Sequence, residues 1–376
     1  MIKAIQLTLM IGPGIPVPVP REVLDALTSV QVNANSGDEA SGFELLFSLS
    51  KRSPLHTVFL LTGGASIPIV RVILIAIVSG VPQVLIDGVM THHNVEQGKD
   101  GEPTLRVQGA DLTALMDYIQ FDGILYPAMP PVARVLLVLA KYAWLGIVPL
   151  TIPSIVQDIP LPTERIPRHQ GTDLGYIRNL ADECGHVFHI EPGPTPGMSR
   201  AYWGPDIKIG VPQAALKVDM DAHTNVESLS FSFDKEKKKM PVVYIRTRTT
   251  PAVTIPIPIP DISPLNPPLG LVPPLPPKLQ HLRDAGNKSP LQMMMTGLAF
   301  ASKNSDAVFG NGSLDVLRYG RVLKSGKLVG VCGAGAAFDG LYYVKSVTHN
   351  IKRGEYKQSF TLARNGLLST LPTVPA

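Results

Sequence analysis

Apolar side chains along this chain recur mostly with the period of a strand. Phe43 to Leu49 alternates, Val70 to Val78 and Val84 to Met90 are β-branched runs, and Thr104 to Gly109 alternates again. Gly, Asn and Pro clusters separate them, so the first hundred or so residues read as antiparallel hairpins of a barrel or sandwich. From Asp111 the spacing changes. Leu112 to Tyr118 predicts a short helix. Pro130-Pro131 opens a second that runs to about Tyr142, and Thr172-Asp173 offers an N-cap to a third that stops at Gly185. Val187 to Ile190 returns to strand. Leu229 to Phe233 and Val242 to Arg246 are strand-like on either side of a basic turn, and Met293 to Phe300 predicts helix. Strand patterning resumes at Arg321 to Leu323, Leu328 to Val331, Leu341 to His349 and Tyr356 to Arg364. Unbroken alternation from Leu341 would put Tyr342, Val344, Ser346 and Thr348 on one face, and Tyr343, Lys345, Val347 and His349 on the other.

The pattern gives a mainly β chain with an α+β insert. Residues 1–116 form a first barrel, 117–217 a middle α+β domain, and 218–250 with 289–376 a second barrel; residues 218–248 could also complete the first. The remaining stretch, 251–288, is set apart by its prolines. Eleven of them lie between Pro251 and Pro277. Each removes a backbone donor and fixes φ, so the expectation is an extended polyproline-like arm, which could lie on a neighbour, or a partly disordered loop.

Composition narrows the function. The chain has 376 residues, a formal charge of +4 and only 17% charged residues, with 36 prolines and 33 glycines. The charge balance is too even for a nucleic-acid partner, and the one dense basic run, Lys235 to Lys239, reads as a solvated turn. Low charge with high hydrophobicity favours a subunit whose surface is covered by partners. The two cysteines, Cys184 and Cys332, make no disulfide framework and suit a reducing cytoplasm. Gln6 and Thr8 interrupt the N-terminal apolar run, and no signal cleavage site follows. Val132 to Pro153 is apolar but carries Arg134, Lys141, Pro149 and Pro153, so it reads as a buried amphipathic helix and a Pro-rich turn rather than a membrane span.

Motifs for chemistry fail on spacing. Gly320 to Lys327 is one residue too long for a phosphate loop, and Leu328 stands where a magnesium-holding hydroxyl belongs. A hairpin turn at Lys324 to Lys327 is the better reading. Gly333 to Ala337 lacks the third glycine and the helix of a dinucleotide fingerprint, because Phe338 follows. Cys184, His186 and His189 offer no second ligand pair for zinc, and the two histidines point opposite ways along a strand. His92-His93 reads as a loop pair. No nucleophile elbow and no paired carboxylates for glycan cleavage appear. The sequence therefore yields no catalytic, cofactor-binding or metal-binding residue.

Four segments share a resemblance: Leu314 to Gly320, Leu328 to Val331, Phe338 to His349 and Gly354 to Gly366. Together they resemble the C-terminal barrel of the phage late control gene D / VgrG-type hub family, as found with phage-tail-like contractile injection systems. Thr172 to Phe188 resembles its middle domain, and Asp87 to Val89 with Thr104 to Met116 the end of its first barrel. The resemblance implies a non-enzymatic structural baseplate hub: two tail-hub-type barrels per chain, assembled as a homotrimer in the cytoplasm. Such a hub adapts a hexameric inner tube or tube-initiator above to a trimeric spike below, among other baseplate subunits. It needs no cofactor, nucleic acid or stable membrane insertion. Because the chain stops ten residues after Gly366, the spike is expected as a separate protein. Gly340 and Gly354 are expected at tight hairpin turns. A tail-tip-associated cell-wall hydrolase is the alternative from the enzyme class.

Overall fold

A computed structural model describes residues 5–49, 69–97, 103–154, 159, 162–163, 166–246, 254–260, 266–274, 278–282 and 290–371. The first part of the chain supplies β1 (Ile5–Gly12), β2 (Val17–Pro18), the short helix α1 (Arg21–Ala26), β3 (Leu27–Asn35), β4 (Gly42–Ser48), β5 (Arg71–Val78), β6 (Val81–Gln97) and β7 (Pro103–Asp111). The middle part supplies α2 (Pro131–Ala140), β8 (Ile147–Thr151), α3 (Asp173–Cys184), β9 (Val187–Pro192) and β10 (Ser199–Gly204). Then come β11 (Gln213–Lys217), β12 (Ser228–Phe233), β13 (Lys239–Arg246), β14 (Thr254–Pro258), β15 (Gly270–Val272), β16 (Lys278–Leu282) and α4 (Pro290–Lys303). The chain ends with β17 (Val308–Asp315), α5 (Val316–Tyr319), β18 (Leu328–Cys332), β19 (Gly340–Lys352), β20 (Glu355–Arg364) and β21 (Leu367–Ser369).

The two expected barrels are two halves of one continuous thirteen-stranded sheet, and among the described residues no ladder closes either half. One half runs β1-β5-β6-β7-β4-β3 and the other β11-β18-β19-β20-β17-β12. The orders correspond strand for strand, except that β1 is antiparallel to β5 while β11 is parallel to β18. Each half turns on a long central strand, 17 residues in β6 and 13 in β19. Each long strand carries a bulge against its hairpin partner, at Thr91 opposite β7 and at Lys345 opposite β20. The extra residue bends the strand, so its two ends pair with different neighbours. In β19 the first end pairs with β18 and the second with β3, which joins the halves through seven residue pairs from Ser346↔Asn35 to Lys352↔Ser29.

The bulge also corrects the face assignment in β19. Tyr342 and Val344 share the core face, but beyond Lys345 the parity flips, and Val347, His349 and Ile351 fill the core in place of Ser346 and Thr348. Buried residues of both halves, from Leu9 and Phe47 to Val329 and Leu362, form one contiguous core. Arg321 to Leu323 adopts no strand, and the turn at Ser325-Gly326 leads into β18 rather than joining a hairpin. Gly354 takes φ +78° in the β19–β20 turn, whereas Gly340 begins β19, where a Cβ would meet Arg364 and Ser369.

Proline placement explains much of the composition. Ile152 N–H donates to the Trp203 carbonyl and Ser199 N–H to that of Gly146, so even-numbered residues of β8 face β10 and the ring nitrogen of Pro149 faces the free edge. Ile259 N–H donates to the Pro241 carbonyl, which likewise turns Pro256 and Pro258 of edge strand β14 outward. A proline there costs no ladder bond and blocks pairing with another chain. Strands β14 and β15 thus form inside the segment expected to hold no packed regular structure; β15 pairs with β21. The prolines at 251, 264, 276 and 277 lie outside the described residues. Val148 to Leu150, expected as a Pro-rich turn, is the centre of β8.

His349 and His186 are buried, and burial pushes each down to about 4. Their folded values lie below the unfolded value near 6.5, so the stability they contribute is present above pH 6.5 and is lost as pH falls towards 4. Each accounts for roughly 3 kcal/mol at the acid end by linkage. Guanidinium melts across this window should show stability falling with pH, and His349→Gln should reduce the slope. An unchanged slope would contradict the assignment.

Candidate assembly surface

The middle α+β unit is fixed to the first half by one buried ion pair. Arg71, on β5, meets Asp87, on β6, in a bidentate arrangement: Nε to Oδ1 at 2.7 Å and Nη2 to Oδ2 at 2.6 Å. Ser199 Oγ, at the start of β10, donates to Asp87 Oδ2 at 2.8 Å. The guanidinium also donates to the carbonyls of Gly14, at 3.3 Å, and Gly197, at 3.1 Å. The β1–β2 turn, the β5–β6 pair and the β9–β10 turn are therefore held by a single cation, whose remaining donors would be costly if left unpaired.

Around this pair the surface is apolar. Ile15 is 82% exposed, Trp144 59% and Met198 49%, with Val17 and Val148 also exposed. They are neighbours, because a Cβ on Gly14 would sit 3.5 Å from the Trp144 ring and Gly197 adjoins Met198. An exposed tryptophan ringed by aliphatic side chains is the composition of a protein interface. Pro149 bars strand addition at the free edge of β8.

A second junction ties all three parts together. Asp38, in the β3–β4 hairpin, accepts from Phe188 N–H at 3.1 Å and from Lys303 Nζ at 2.6 Å, while its carbonyl accepts from Arg178 at 2.7 Å. Lys303, at the end of α4, also reaches Asp182 of α3 at 2.8 Å. Desolvation acts to lower the Lys303 pKa, but the bonds to Asp182 and Asp38 outweigh it and the net shift is upward.

One cluster has the residue types of acid–base chemistry and was not singled out by the sequence. Tyr126 Oη lies 3.1 Å from His169 Nδ1, His169 Nε2 lies 3.3 Å from Asp173, and Asp173 accepts from Lys141 at 2.9 Å and Tyr142 at 2.8 Å. Burial lowers the His169 pKa against the opposing pull of Asp173, and pushes Tyr126 up to about 12. His169 and Asp173 are fully buried, and the His169 ring stacks on Tyr176 at 4.3 Å between centroids. The cluster is a buried polar core holding α2 against α3, in which His169 Nε2 approaches Asp173 without a well-formed hydrogen bond. Its signal in sequence was only His169 four residues before Asp173, the first residue of the capped helix.

The cysteines and histidines weighed as ligands have other partners. Cys184 is buried at the end of α3, His186 meets Trp203 edge-on at 4.4 Å, and His189 lies 3.2 Å from Glu191. The His189 bond holds Glu191 down at about 2 despite burial. Among the described residues no group of three or more His, Cys, Asp or Glu is placed to hold a metal. The carbonyls of Ala337 and Asp339, beside the Gly333 to Ala337 loop, accept from the buried Arg364 at 2.6 and 2.9 Å, so that loop caps a cation. His92 and His93 lie within β6, not in a loop, and Lys238 of the basic run is buried.

The sequence matches no protein-family model and has no significant match among curated proteins. Solved structures share its fold. A tail protein from Neisseria meningitidis superposes over 97% of this chain and 98% of its own, at TM-score 0.63 and 12% identity. The 43 kDa tail protein of prophage MuSo2 from Shewanella oneidensis does so over 96% and 99%, at 0.62 and 12%. An E. coli component of the type VI secretion system, itself similar to the T4 tail proteins gp27 and gp5, matches over 93% and 77%, at 0.53 and 11%. The chain has the fold of these tail proteins along nearly its whole length.

Removing one member of the buried pair should be far worse than removing both. Asp87→Ala leaves Arg71 charged and buried and should cost about 3–5 kcal/mol in urea unfolding, whereas the double replacement Arg71→Met with Asp87→Leu should recover most of it. Equal losses in the two proteins would contradict the staple.

Proposed function

We propose that this chain is a structural baseplate hub subunit of a contractile, phage-tail-like injection system. It forms a homotrimer that adapts a hexameric inner tube, or its initiator ring, to a trimeric spike. Other baseplate subunits surround it. It assembles in the cytoplasm, enters the baseplate of the particle, and carries out no catalysis.

One observation carries this reading. Each chain holds two six-strand halves of matching order, joined in one sheet where β3 pairs with the far end of β19. Three such chains present six like units, which is what a sixfold tube requires of a threefold base. The shared fold with phage tail proteins supports it. So does the Ile15–Trp144 rim, an apolar surface of the kind that partners cover. No described helix is long and apolar enough to cross a membrane.

Native mass spectrometry of the full chain tests the reading. Three copies of the 40.5 kDa chain are expected. A monomer at every concentration up to tens of micromolar would contradict it.

A further inference from the structure

The two halves differ in how their edges are covered. In the first half, β3 is covered along its outer side by the far end of β19, and its core-facing Val30 and Val32 are fully buried. Its counterpart in the second half, β12, has only β17 beside it among the described residues, and the core-facing Leu229, Phe231 and Phe233 are only partly buried. The far end of β6 is the counterpart of the far end of β19. It extends past β5, whose pairing stops at Val89, so beyond Thr91 only β7 flanks it among the described residues. There Val95 stands 49% exposed. The corresponding position of β19 is the buried His349.

Backbone direction agrees. Asp234 N–H donates to the Ala307 carbonyl, so even-numbered residues of β12 face β17 and the amides of Leu229, Phe231 and Phe233 face outward. In β3 the equivalent residues, Val30, Val32 and Ala34, are the ones turned towards β19, as the Ser36 N–H to Lys345 carbonyl bond requires. Neither open edge carries a proline, unlike β8 and β14. The edge of β11 is capped instead by Asn225, whose side chain bonds Lys217 N–H at 2.7 Å and the Ala215 carbonyl at 2.9 Å.

We infer that β12 of one copy pairs antiparallel with residues 92–97 of β6 in the next copy, repeating between chains the β3–β19 junction found within each. Superposing the bulges at Thr91 and Lys345 and carrying over the internal register sets the pairs. His92 meets Asp234, Asn94 meets Ser232, Val95 meets Phe231 and Glu96 meets Ser230. This pairing buries Val95 against Phe231 and gives the three outward amides of β12 their acceptors. It is head to tail, so it closes only if the rotation per copy does. The occupant is a second copy because one chain carries both members of the junction, each missing what the other supplies.

The inference rests on the trimer proposed above and adds its strand register. Asn94 and Ser232 would form a non-hydrogen-bonded pair, the geometry that accepts a cross-strand disulfide. The test is the full-length double variant Asn94→Cys with Ser232→Cys, oxidised mildly and run without reductant, beside each single variant. Covalent dimers and trimers are expected from the double variant only, with no band above three copies and loss of the ladder in reductant. A trimer by native mass that does not cross-link would overturn the pairing and leave the trimer standing. Cross-linking that continues past three copies would support the pairing and overturn the closure. A protein monomeric by mass and without cross-links would overturn both. Circular dichroism of the double variant in reductant, matching the parent, guards against a folding defect.

Discussion

The β3–β19 ladder is the constraint on which the rest of the molecule depends. It joins strands more than three hundred residues apart and makes two six-strand halves into one sheet. Its formation needs β19 to be long and bent. A straight strand would either pair with β18 throughout or present Ser346 and Thr348 to the core. The single bulged Lys345 resolves both problems by turning the strand and shifting its parity. The same device at Thr91 shapes β6, which is why the two halves correspond.

The middle unit packs on the first half through a core that includes Val89, and polar staples fix its position. Arg71–Asp87 locks it to the first half, and Asp38 holds β9, α3 and α4 at once. Both sites use charge-assisted bonds with several partners, so each residue positions more than one segment. Packing supplies the bulk of the stability, and these contacts supply geometry. The prolines complete the scheme by closing the edge strands β8 and β14 to strand addition.

Much of this was legible in the sequence and some was not. The α3 helix appeared with its Thr172 cap and Gly185 stop because capping chemistry is local. Strands β4 to β7, β12 and β18 to β20 appeared because β-branched and alternating runs are local too, whereas β1, β3, β11 and β17 did not. The bulges were hidden, since one extra residue changes no composition and moves the apolar face only beyond it. The strands in the proline-rich stretch were missed because proline density says nothing about which way each nitrogen points. His92 and His93 lie in the strand rather than the expected loop because β6 continues through polar, largely exposed residues that carry no apolar alternation. The Asp173–His169 cluster and the Arg71 staple join residues distant in sequence, which no spacing rule reveals.

Backbone hydrogen exchange on the full chain tests the central claim most directly. If the ladder makes one cooperative sheet, the amides of Val30, Val32 and Ala34, and their partners in β19, should exchange only with global unfolding, as slowly as those in the centre of β5. Fast exchange along β3 while β5 and β20 stay protected would mean that the halves are separate units, and would contradict the account.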